Sequence, residues 1–180
     1  MNFITSKEKI FNALNETNKV IPIRTTLPIL SCVLIKAKGS ELTLISTDLE
    51  QSIKISIEGK IIKTGEVAVP NGKLLEIVSA LPNKGEINFL IKEDFEIIIN
   101  SSQGVYKIIG KDPSEYPETP KLNKEQQLVI QGQELLSIIN STLYAVSKDD
   151  LKPALCGIYL NINEKKITAV ATDGHRLVKM

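Results

Sequence analysis

The chain has 180 residues, of which 42% are apolar and 24% are charged, and this composition is typical of a globular protein and excludes a disordered one. Its 22 basic and 21 acidic residues give a net charge of +1, so the overall charge neither implies nor excludes a nucleic-acid partner. No apolar run approaches the roughly 18 residues of a membrane span, and the first residues lack a signal peptide's basic and apolar regions. We therefore expect a cytoplasmic protein.

The first sixty residues predict a β-α-β-β-β unit. Residues 1–5 favour a strand, and Thr5 with Glu8 has the spacing of a capping box. Apolar residues at helical spacing then predict a helix that runs to about Asn18. After a proline-containing loop, β-branched content and alternation predict three strands, at 29–37, 41–47 and 51–58.

The next sixty residues predict the same unit again. A strand at 66–70 precedes a helix for which Asn71 is the expected N-cap and which Pro82 ends. Three more strands are predicted at 86–91, 95–100 and 105–110. Two such units make one domain, which we expect to span 1–120. The proline-rich stretch 110–122 is typical of a linker.

The pattern begins a third time after this stretch. It predicts a strand, a helix and three strands, at 127–130, 133–145, 155–161, 166–171 and 176–180. Residues 124–180 thus form one unit of a design that comes in pairs, with too little chain to cover both faces of a sheet. We expect an α+β protein whose second domain is incomplete.

The third unit also repeats the first in sequence. Segment 10–54 aligns without a gap to the residues 125 positions later, so that Asp48 corresponds to Asp173. A repeat of this length indicates a duplicated domain, since solenoid units have only about 20 to 50 residues. Asp173 is followed by Gly174, whereas Asp48 is followed by Leu49. Because Gly favours tight turns, we expect the second copy either to bend differently here or to expose more backbone.

Few residues are candidates for catalysis. Cys156, His175 and Asp173 could in principle be nucleophile, base and orienter. Cys156, however, lies in an apolar run typical of a core, and Asp173 is only two residues from His175. There is no glycine-rich phosphate loop, and one His with two isolated Cys offers no metal ligand set. We expect no enzyme, no cofactor and no metal, with a Cys156 hydrolase as the weaker alternative.

Two further features have a structural and a functional interpretation. Asp173-Gly174 is either a plain tight turn or, with the residues that follow, the floor of a shallow groove for an extended peptide. Basic residues in loops and at helix starts either bind phosphates or are merely solvated. The residues alone favour the structural interpretation in both cases. With aromatic residues at only 4%, base stacking on single strands is not expected.

Four motifs in the same order then resemble one family. They are Arg-Thr-Thr-Leu-Pro-Ile-Leu at 24–30, Thr-Asp-Leu-Glu at 47–50, Lys-Pro-Ala-Leu-Cys-Gly at 152–157 and Ala-Thr-Asp-Gly-His-Arg-Leu at 171–177. The family is that of the bacterial DNA polymerase III beta subunits, the sliding clamps, and the resemblance covers the whole chain. It implies the DNA clamp fold, with helices on one side and antiparallel sheets on the other. It also implies a processivity factor, in which two chains close head to tail into a ring around duplex DNA.

The resemblance implies partners and site residues as well. The partners are duplex DNA, bound without sequence preference, the replicative DNA polymerase, the clamp loader and other proteins with a clamp-binding peptide. The DNA-binding residues are Arg24, Lys73, Lys148 and Lys152. The peptide groove comprises Leu155, Thr172, Gly174, His175, Arg176 and Leu177. The ring interface comprises Leu74, Ile77, Tyr106 and Ile108.

The chain departs from this family in length, because relatives are about twice as long. A head-to-tail ring cannot close when one of its two complementary surfaces is missing. We therefore expect that the parent is a clamp and that this chain alone does not work as one. The alternative function is a peptide-binding adaptor that never encircles DNA.

Overall fold

The computed structural model describes residues 1–83, 85–118, 129–163 and 166–180. The chain divides into two compact units, Met1–Lys121 and Leu122–Met180, which are called the first and the second unit below. Within the described residues, every helix is too short or too polar to span a membrane.

The first unit contains two helices and two antiparallel sheets in its described residues. The helices are α1 (Lys7–Asn18) and α2 (Asn71–Ala80). The strands are β1 (Asn2–Ser6), β2 (Cys32–Lys38), β3 (Glu41–Thr47), β4 (Ser52–Glu58), β5 (Lys60–Lys63), β6 (Gly65–Pro70), β7 (Glu86–Ile91), β8 (Glu96–Ser101) and β9 (Gly104–Ile109). The predicted α+β fold of repeated β-α-β-β-β units is confirmed.

The two β-α-β-β-β halves of the first unit exchange their first strands. One sheet has the order β4-β3-β2-β6 and the other the order β5-β1-β7-β8-β9. Strand β1 pairs with β7 of the second half, and β6 pairs with β2 of the first half, so that Val33 lies opposite Val69. Neither sheet can therefore form from one half alone.

The core of the first unit lies between these sheets and the helix pair. Ile10 and Leu14, four residues apart on α1, are both fully buried, as the helical spacing predicts. Phe3 of β1 stacks on Phe89 of β7 with ring centroids 4.8 Å apart, which joins the two halves inside the core. The other fully buried large side chains are Val33, Ile35, Leu42, Leu44, Leu74, Ile87, Ile97 and Ile99.

The second unit contains one helix and one sheet in its described residues. They are α3 (Gly132–Thr142) and the antiparallel strands β10 (Tyr159–Asn163), β11 (Lys166–Thr172) and β12 (Leu177–Lys179). Leu135 and Leu160 are 37% and 41% exposed, whereas their counterparts 125 positions earlier, Ile10 and Ile35, are 0% and 1% exposed. The second unit thus exposes an apolar face, whereas the corresponding residues of the first unit are buried in that unit's own core.

Both predicted helix caps of the first unit are wrong. Ser6, rather than Thr5, caps α1 by accepting a hydrogen bond from the Lys9 N–H at 3.3 Å, because Thr5 still belongs to β1. Asn71 is the first residue of α2 and not its cap. Its buried side-chain amide donates to Asn18 Oδ1 at 2.8 Å and so ties the start of α2 to the end of α1.

Several predicted strand boundaries are also wrong. The strand predicted at 29–37 begins only at Cys32, and the one at 155–161 only at Tyr159, because a proline starts a 3₁₀ helix before each. Strand β5 was not predicted. Helix α3 stops at Thr142, where another 3₁₀ helix follows. Of the strand predicted at 127–130, the first two residues lie outside the described residues and the last two are not in a strand.

The start of the predicted linker belongs to the first unit and is packed within it. Tyr116 is only 6% exposed, and its hydroxyl lies 3.2 Å from both the Cys32 and the Ile45 carbonyl oxygens. Burial raises the pKa of Tyr116 to about 12. Residues 119–122 of this stretch lie outside the described residues. Tyr116 belongs to a second cluster of buried side chains, separate from the core described above. Its members are Ile29, Leu30, Cys32, Leu34, Ile45, Ala68 and Tyr116.

Replacing Tyr116 with Phe keeps the ring and removes the hydroxyl. We expect the free energy of unfolding of the first unit to fall by about 1 kcal/mol at pH 7, since two buried carbonyl oxygens lose a donor. In the native protein the neutral phenol is favoured, so its contribution is complete below pH 10 and is lost as the pH rises towards about 12. Urea unfolding at pH 7 and from pH 10 to 12 measures both effects.

The Tyr116→Phe variant should lack this part of the alkaline loss. Tyr159→Phe is the control, because Tyr159 is exposed and lies in the second unit. An identical alkaline loss in the native protein and in Tyr116→Phe would contradict the assignment.

Candidate functional site

The candidate site of the second unit begins with the turn between β11 and β12. The Thr172 hydroxyl donates to the Arg176 carbonyl at 2.6 Å and accepts from the Gly174 N–H at 3.1 Å. Asp173 Oδ1 accepts from the N–H groups of His175 and Arg176, both at 3.0 Å. Two short side chains therefore fix the whole turn, and Gly174 has a φ of 90°.

Asp173 also pairs with a side chain. Its Oδ2 lies 2.9 Å from Arg176 Nε. Hydrogen bonds from the N–H groups of Arg176 and then His175, with a further contribution from the Arg176 side chain, lower the pKa of Asp173 to about 2. The carboxylate thus stays charged at every pH near neutrality.

The first unit contains the same turn, so the expectation that the two copies bend differently is wrong. Asp48 Oδ1 accepts from the Glu50 and Gln51 N–H groups at 3.0 and 2.6 Å, and the Thr47 hydroxyl donates to the Gln51 carbonyl at 2.7 Å. Leu49 occupies the place of Gly174 with a φ of 81°. The side-chain hydrogen bonds impose this conformation although a branched residue disfavours it.

A closed loop lies beside this turn in the second unit. The Ser147 N–H donates to the Leu155 carbonyl at 2.9 Å, which closes the loop that carries Lys148 and Lys152. Inside it, Asp149 Oδ1 accepts from the Leu151 N–H at 3.1 Å. The loop is thus held by its own backbone, while both lysine side chains are exposed.

The loop and the turn line one cavity of about 690 Å³. It brings His175 and Arg176, predicted for a peptide groove, together with Lys148 and Lys152, predicted for DNA. The remaining groove residues do not line it. Leu155 and Thr172 are half-buried, whereas Gly174 and Leu177 are exposed beside it.

Tyr144 is a residue of this site that sequence reasoning missed. The Arg176 guanidinium carbon lies 5.7 Å from the centre of its ring, within cation–π distance. Tyr144 precedes the lysine loop and lies in the 3₁₀ helix after α3. No motif marks it, because its contact with Arg176 arises only in the tertiary structure.

The predicted DNA-binding residues of the first unit lie near one end of its helix pair. Arg24 is in the loop that follows α1, and Lys73 is in the first turn of α2. The Asn71–Asn18 hydrogen bond holds the end of α1 beside the start of α2. Among the described residues, none forms an ion pair with Arg24, Lys73, Lys148 or Lys152. All four are exposed.

Family models match nearly the whole chain. That of the DNA polymerase III beta subunit, N-terminal domain, matches residues 1–120, and that of its central domain matches residues 129–180. The chain belongs to the DNA polymerase III beta subunit family. The first match corresponds to the first unit, and the second lies within the second unit.

Similar proteins support this membership. The beta sliding clamps of Staphylococcus epidermidis and Staphylococcus aureus are 35% and 34% identical to 98% of this chain, which covers 49% of each. The crystal structure of the beta subunit of Streptococcus pyogenes DNA polymerase has a TM-score of 0.93 at 28% identity, over 99% of this chain and 49% of that one. The DNA polymerase III subunit beta of Pseudomonas aeruginosa has a TM-score of 0.92 at 29% identity, over 98% and 48%. The chain spans about half the length of these relatives.

Two of the residues predicted for a beta subunit ring interface lie in the core. Leu74 is 1% exposed and Ile108 is 8% exposed, so neither presents a surface to another chain. The other two, Ile77 on α2 and Tyr106 on β9, are half-buried at the edge of the core. The resemblance pointed to the second helix and to the strand after Ser102, and it did not distinguish the inward-facing from the outward-facing positions of these two elements.

The predicted location of the Cys156 thiol is wrong. It was expected in the core, but it is exposed, because it ends a short 3₁₀ helix instead of lying in a strand. Its Sγ lies 3.2 Å from the Asp149 carbonyl oxygen, a contact that does not activate a thiol.

The strained turn in the first unit allows a test. Asn tolerates positive φ better than Leu, so Leu49→Asn should raise the free energy of unfolding of the first unit by about 1 kcal/mol. Glu50→Asn, the matched control, changes a neighbouring exposed residue whose φ is not positive and should leave it unchanged. Urea unfolding followed by far-UV circular dichroism measures both. Equal effects of the two substitutions would show that Leu49 carries no strain.

Proposed function

We propose that this chain is the first part of a sliding clamp, a processivity factor that encircles duplex DNA and tethers the replicative polymerase. The observation that carries this proposal is the match to N-terminal and central beta subunit domains, in that order, along nearly the whole chain. The relatives of that match are named beta sliding clamps. No step in this function makes or breaks a covalent bond, so the proposal is that of a protein without enzymatic activity, acting in the cytoplasm.

The proposed hold on DNA is topological. A closed ring of two full-length chains, joined head to tail, retains duplex DNA without reading its bases, and only a few phosphate contacts are needed. Arg24, Lys73, Lys148 and Lys152 are proposed for these contacts. This assignment is supported by two observations. All four side chains are exposed, and none of them forms an ion pair with a described residue.

The proposed partner site is the surface around the turn of the second unit. Leu155, Thr172, Gly174, His175, Arg176 and Leu177 would receive a short peptide from the polymerase, the clamp loader or other proteins. A few apolar contacts there would give roughly micromolar affinity, which allows partners to replace one another.

For the interface between chains, Ile77 and Tyr106 are proposed, since Leu74 and Ile108 are buried. The complementary surface would lie in the part of the relatives that this chain does not span. The 180-residue chain alone would then not close a ring.

Retention on circular DNA tests the encircling function. A chimera would join residue 180 of this chain to the remaining half of the Staphylococcus aureus beta sliding clamp and be loaded onto nicked plasmid by a bacterial clamp loader with ATP. We expect the chimera to stay on the circle through gel filtration and to leave when the plasmid is linearised. The unextended chain, as control, should be indifferent to linearisation.

Two outcomes would contradict the proposal. If the chimera assembles as a dimer and binds equally to circular and linear DNA, the protein is an adaptor and not a clamp. If the unextended chain is retained on the circle and released by linearisation, it closes a ring without the second half.

The phosphate contacts can be tested on the chain as it stands. Each residue that contacts a phosphate should add about −0.9 to the slope of log affinity against log salt. Arg24→Ala and Lys73→Ala should therefore each make the slope for a duplex oligonucleotide shallower by about that amount. Lys38→Ala is the control, because Lys38 is an exposed lysine at the end of β2. Fluorescence anisotropy at several salt concentrations gives the slopes, and an equal change in the control would point to general charge attraction.

A further inference from the structure

The open apolar face of the second unit plays no part in the site described above. On β10 it carries Leu160 and Ile162, which are 41% and 49% exposed. On α3 it carries Leu135, which is 37% exposed, and Ile139, which is half-buried. Large exposed apolar patches on soluble proteins mark surfaces that bind a partner. This face is therefore a candidate surface for association.

The first unit shows how much apolar surface covers such a face. Its main core contains nine buried apolar side chains from Phe3–Leu44 and eleven from Val67–Ile108. Eight of the nine have a counterpart 125 positions later in the described part of the second unit, and all eight counterparts are apolar. Of these eight, only Ala169 is buried. Interfaces of obligate homodimers resemble a domain core cut in half, so one such half from each chain supplies the apolar area that a stable dimer needs.

The two halves of the first unit cover each other in a reciprocal way. Strand β1 of the first half pairs with β7 of the second, and β6 of the second half pairs with β2 of the first. The end of α1 meets the start of α2, where Asn71 donates to Asn18 at 2.8 Å. The start of α1 meets the chain just after α2, where Lys7 Nζ donates to Asn83 Oδ1 at 2.8 Å. Such reciprocity is that of a two-fold axis, about which two identical halves can pair.

Helix α3 has the apolar positions of both helices in that antiparallel pair. The three helices begin at Lys7, Asn71 and Gly132, and in each of them the residues three and seven positions further on are apolar. These residues are fully buried in α1 and α2 but not in α3. The only charged residue of α3 is Glu134, in its first turn. Two antiparallel copies of α3 would place these carboxylates at opposite ends, so no like charges would meet.

We propose that two copies of this chain pair through their second units, with α3 of one copy antiparallel to α3 of the other, so that each covers the open face of the other. The contact goes beyond the proposed clamp and differs from its ring interface, since it uses neither Ile77 nor Tyr106. A second copy fits the face better than an unrelated protein does, because it already has apolar residues at the required positions. In a longer chain, the part of the relatives that this chain does not span would compete for the same face.

Sedimentation velocity over a series of concentrations tests the pairing. We expect the native chain to have twice the mass of one chain. Leu160→Asp should raise the dissociation constant of the dimer about a hundredfold, because its carboxylate would be buried without a partner. Asn161→Asp is the matched control, since it adds the same charge to the other face of β10 and should leave the constant unchanged. Far-UV circular dichroism checks the folding of each variant, and Leu160→Ala, with an expected increase of about tenfold, replaces Leu160→Asp if that variant does not fold.

Cross-linking tests the orientation of the two helices. Gly132 and Leu143 correspond to Asn71 and Asn18, which meet in the first unit. In a Cys156→Ser background, a refolded mixture of Gly132→Cys chains and Leu143→Cys chains should form dimers with a short bismaleimide. Each variant alone should not, because its two thiols would lie at opposite ends of an 11-residue helix, about 16 Å apart. A Cβ at Gly132 meets no atom within 4 Å, so the cysteine fits there.

Three outcomes would overturn the inference. If the native chain is a monomer at its highest soluble concentration, the face does not bind a second copy and is left to the second half of a longer chain. If Tyr106→Asp dissociates the dimer and Leu160→Asp does not, the chains meet at the proposed ring interface, and that part of the clamp proposal gains support. If the mixture of cysteine variants cross-links no more than either variant alone, the α3 helices do not pair.

Discussion

The structure depends on one constraint, which is that a β-α-β-β-β half cannot bury its own apolar face. In the first unit the two halves solve this together, because β1 pairs with β7, β6 pairs with β2, and α1 packs on α2. The exchange makes the sheets and the core form as one cooperative unit. In the second unit the chain provides one half only, and Leu135 and Leu160 are exposed where Ile10 and Ile35 are buried. The same sequence pattern thus gives a closed core or an open face, depending on whether a second half covers it.

The duplicated turn shows how a scaffold can be kept while its chemistry changes. Thr47 with Asp48 and Thr172 with Asp173 make matching hydrogen bonds, which hold the backbone in one shape even where Leu49 replaces Gly. The residues that these turns present differ, however, since the first copy has Glu and Gln where the second has His175 and Arg176. In the second copy the guanidinium lies near an aromatic ring at the wall of a cavity. The repeat therefore explains the position of the site, and the substituted residues explain its charge.

The sequence predicted those parts of the fold that depend on local pattern. Strand β3 was predicted at its observed bounds, because turn residues flank it at both ends, Gly39 and Ser40 before it and Asp48 after it. The strand predicted at 127–130 corresponds to β1 of the first unit, which pairs with β5 on one side and with β7 of the other half on the other. Residues 129 and 130 are not in a strand, and a local pattern does not reveal whether such partner strands are present. Tyr116 was assigned to a linker because its proline neighbours dominate the local signal, although one buried ring suffices to anchor the segment. Of the site, the turn and the lysine loop followed from motifs, whereas the role of Tyr144 depends on tertiary contact and has no sequence signal.

The site of the second unit has a fixed part and an adaptable part, and the proposed function gives each a reason. The turn is fixed, because Asp173 is saturated with donors and its pKa of about 2 keeps it charged at any physiological pH. The two lysines of the loop form no ion pair with any residue that the structure describes, and their long side chains can follow ligands of different shape. A protein that must accept several partners in turn needs a constant anchor surface together with charges that are not committed to an internal partner. If these lysines formed strong ion pairs within the chain, each binding partner would have to break those pairs and would bind more weakly. Their lack of ion-pair partners among the described residues is therefore consistent with a binding role.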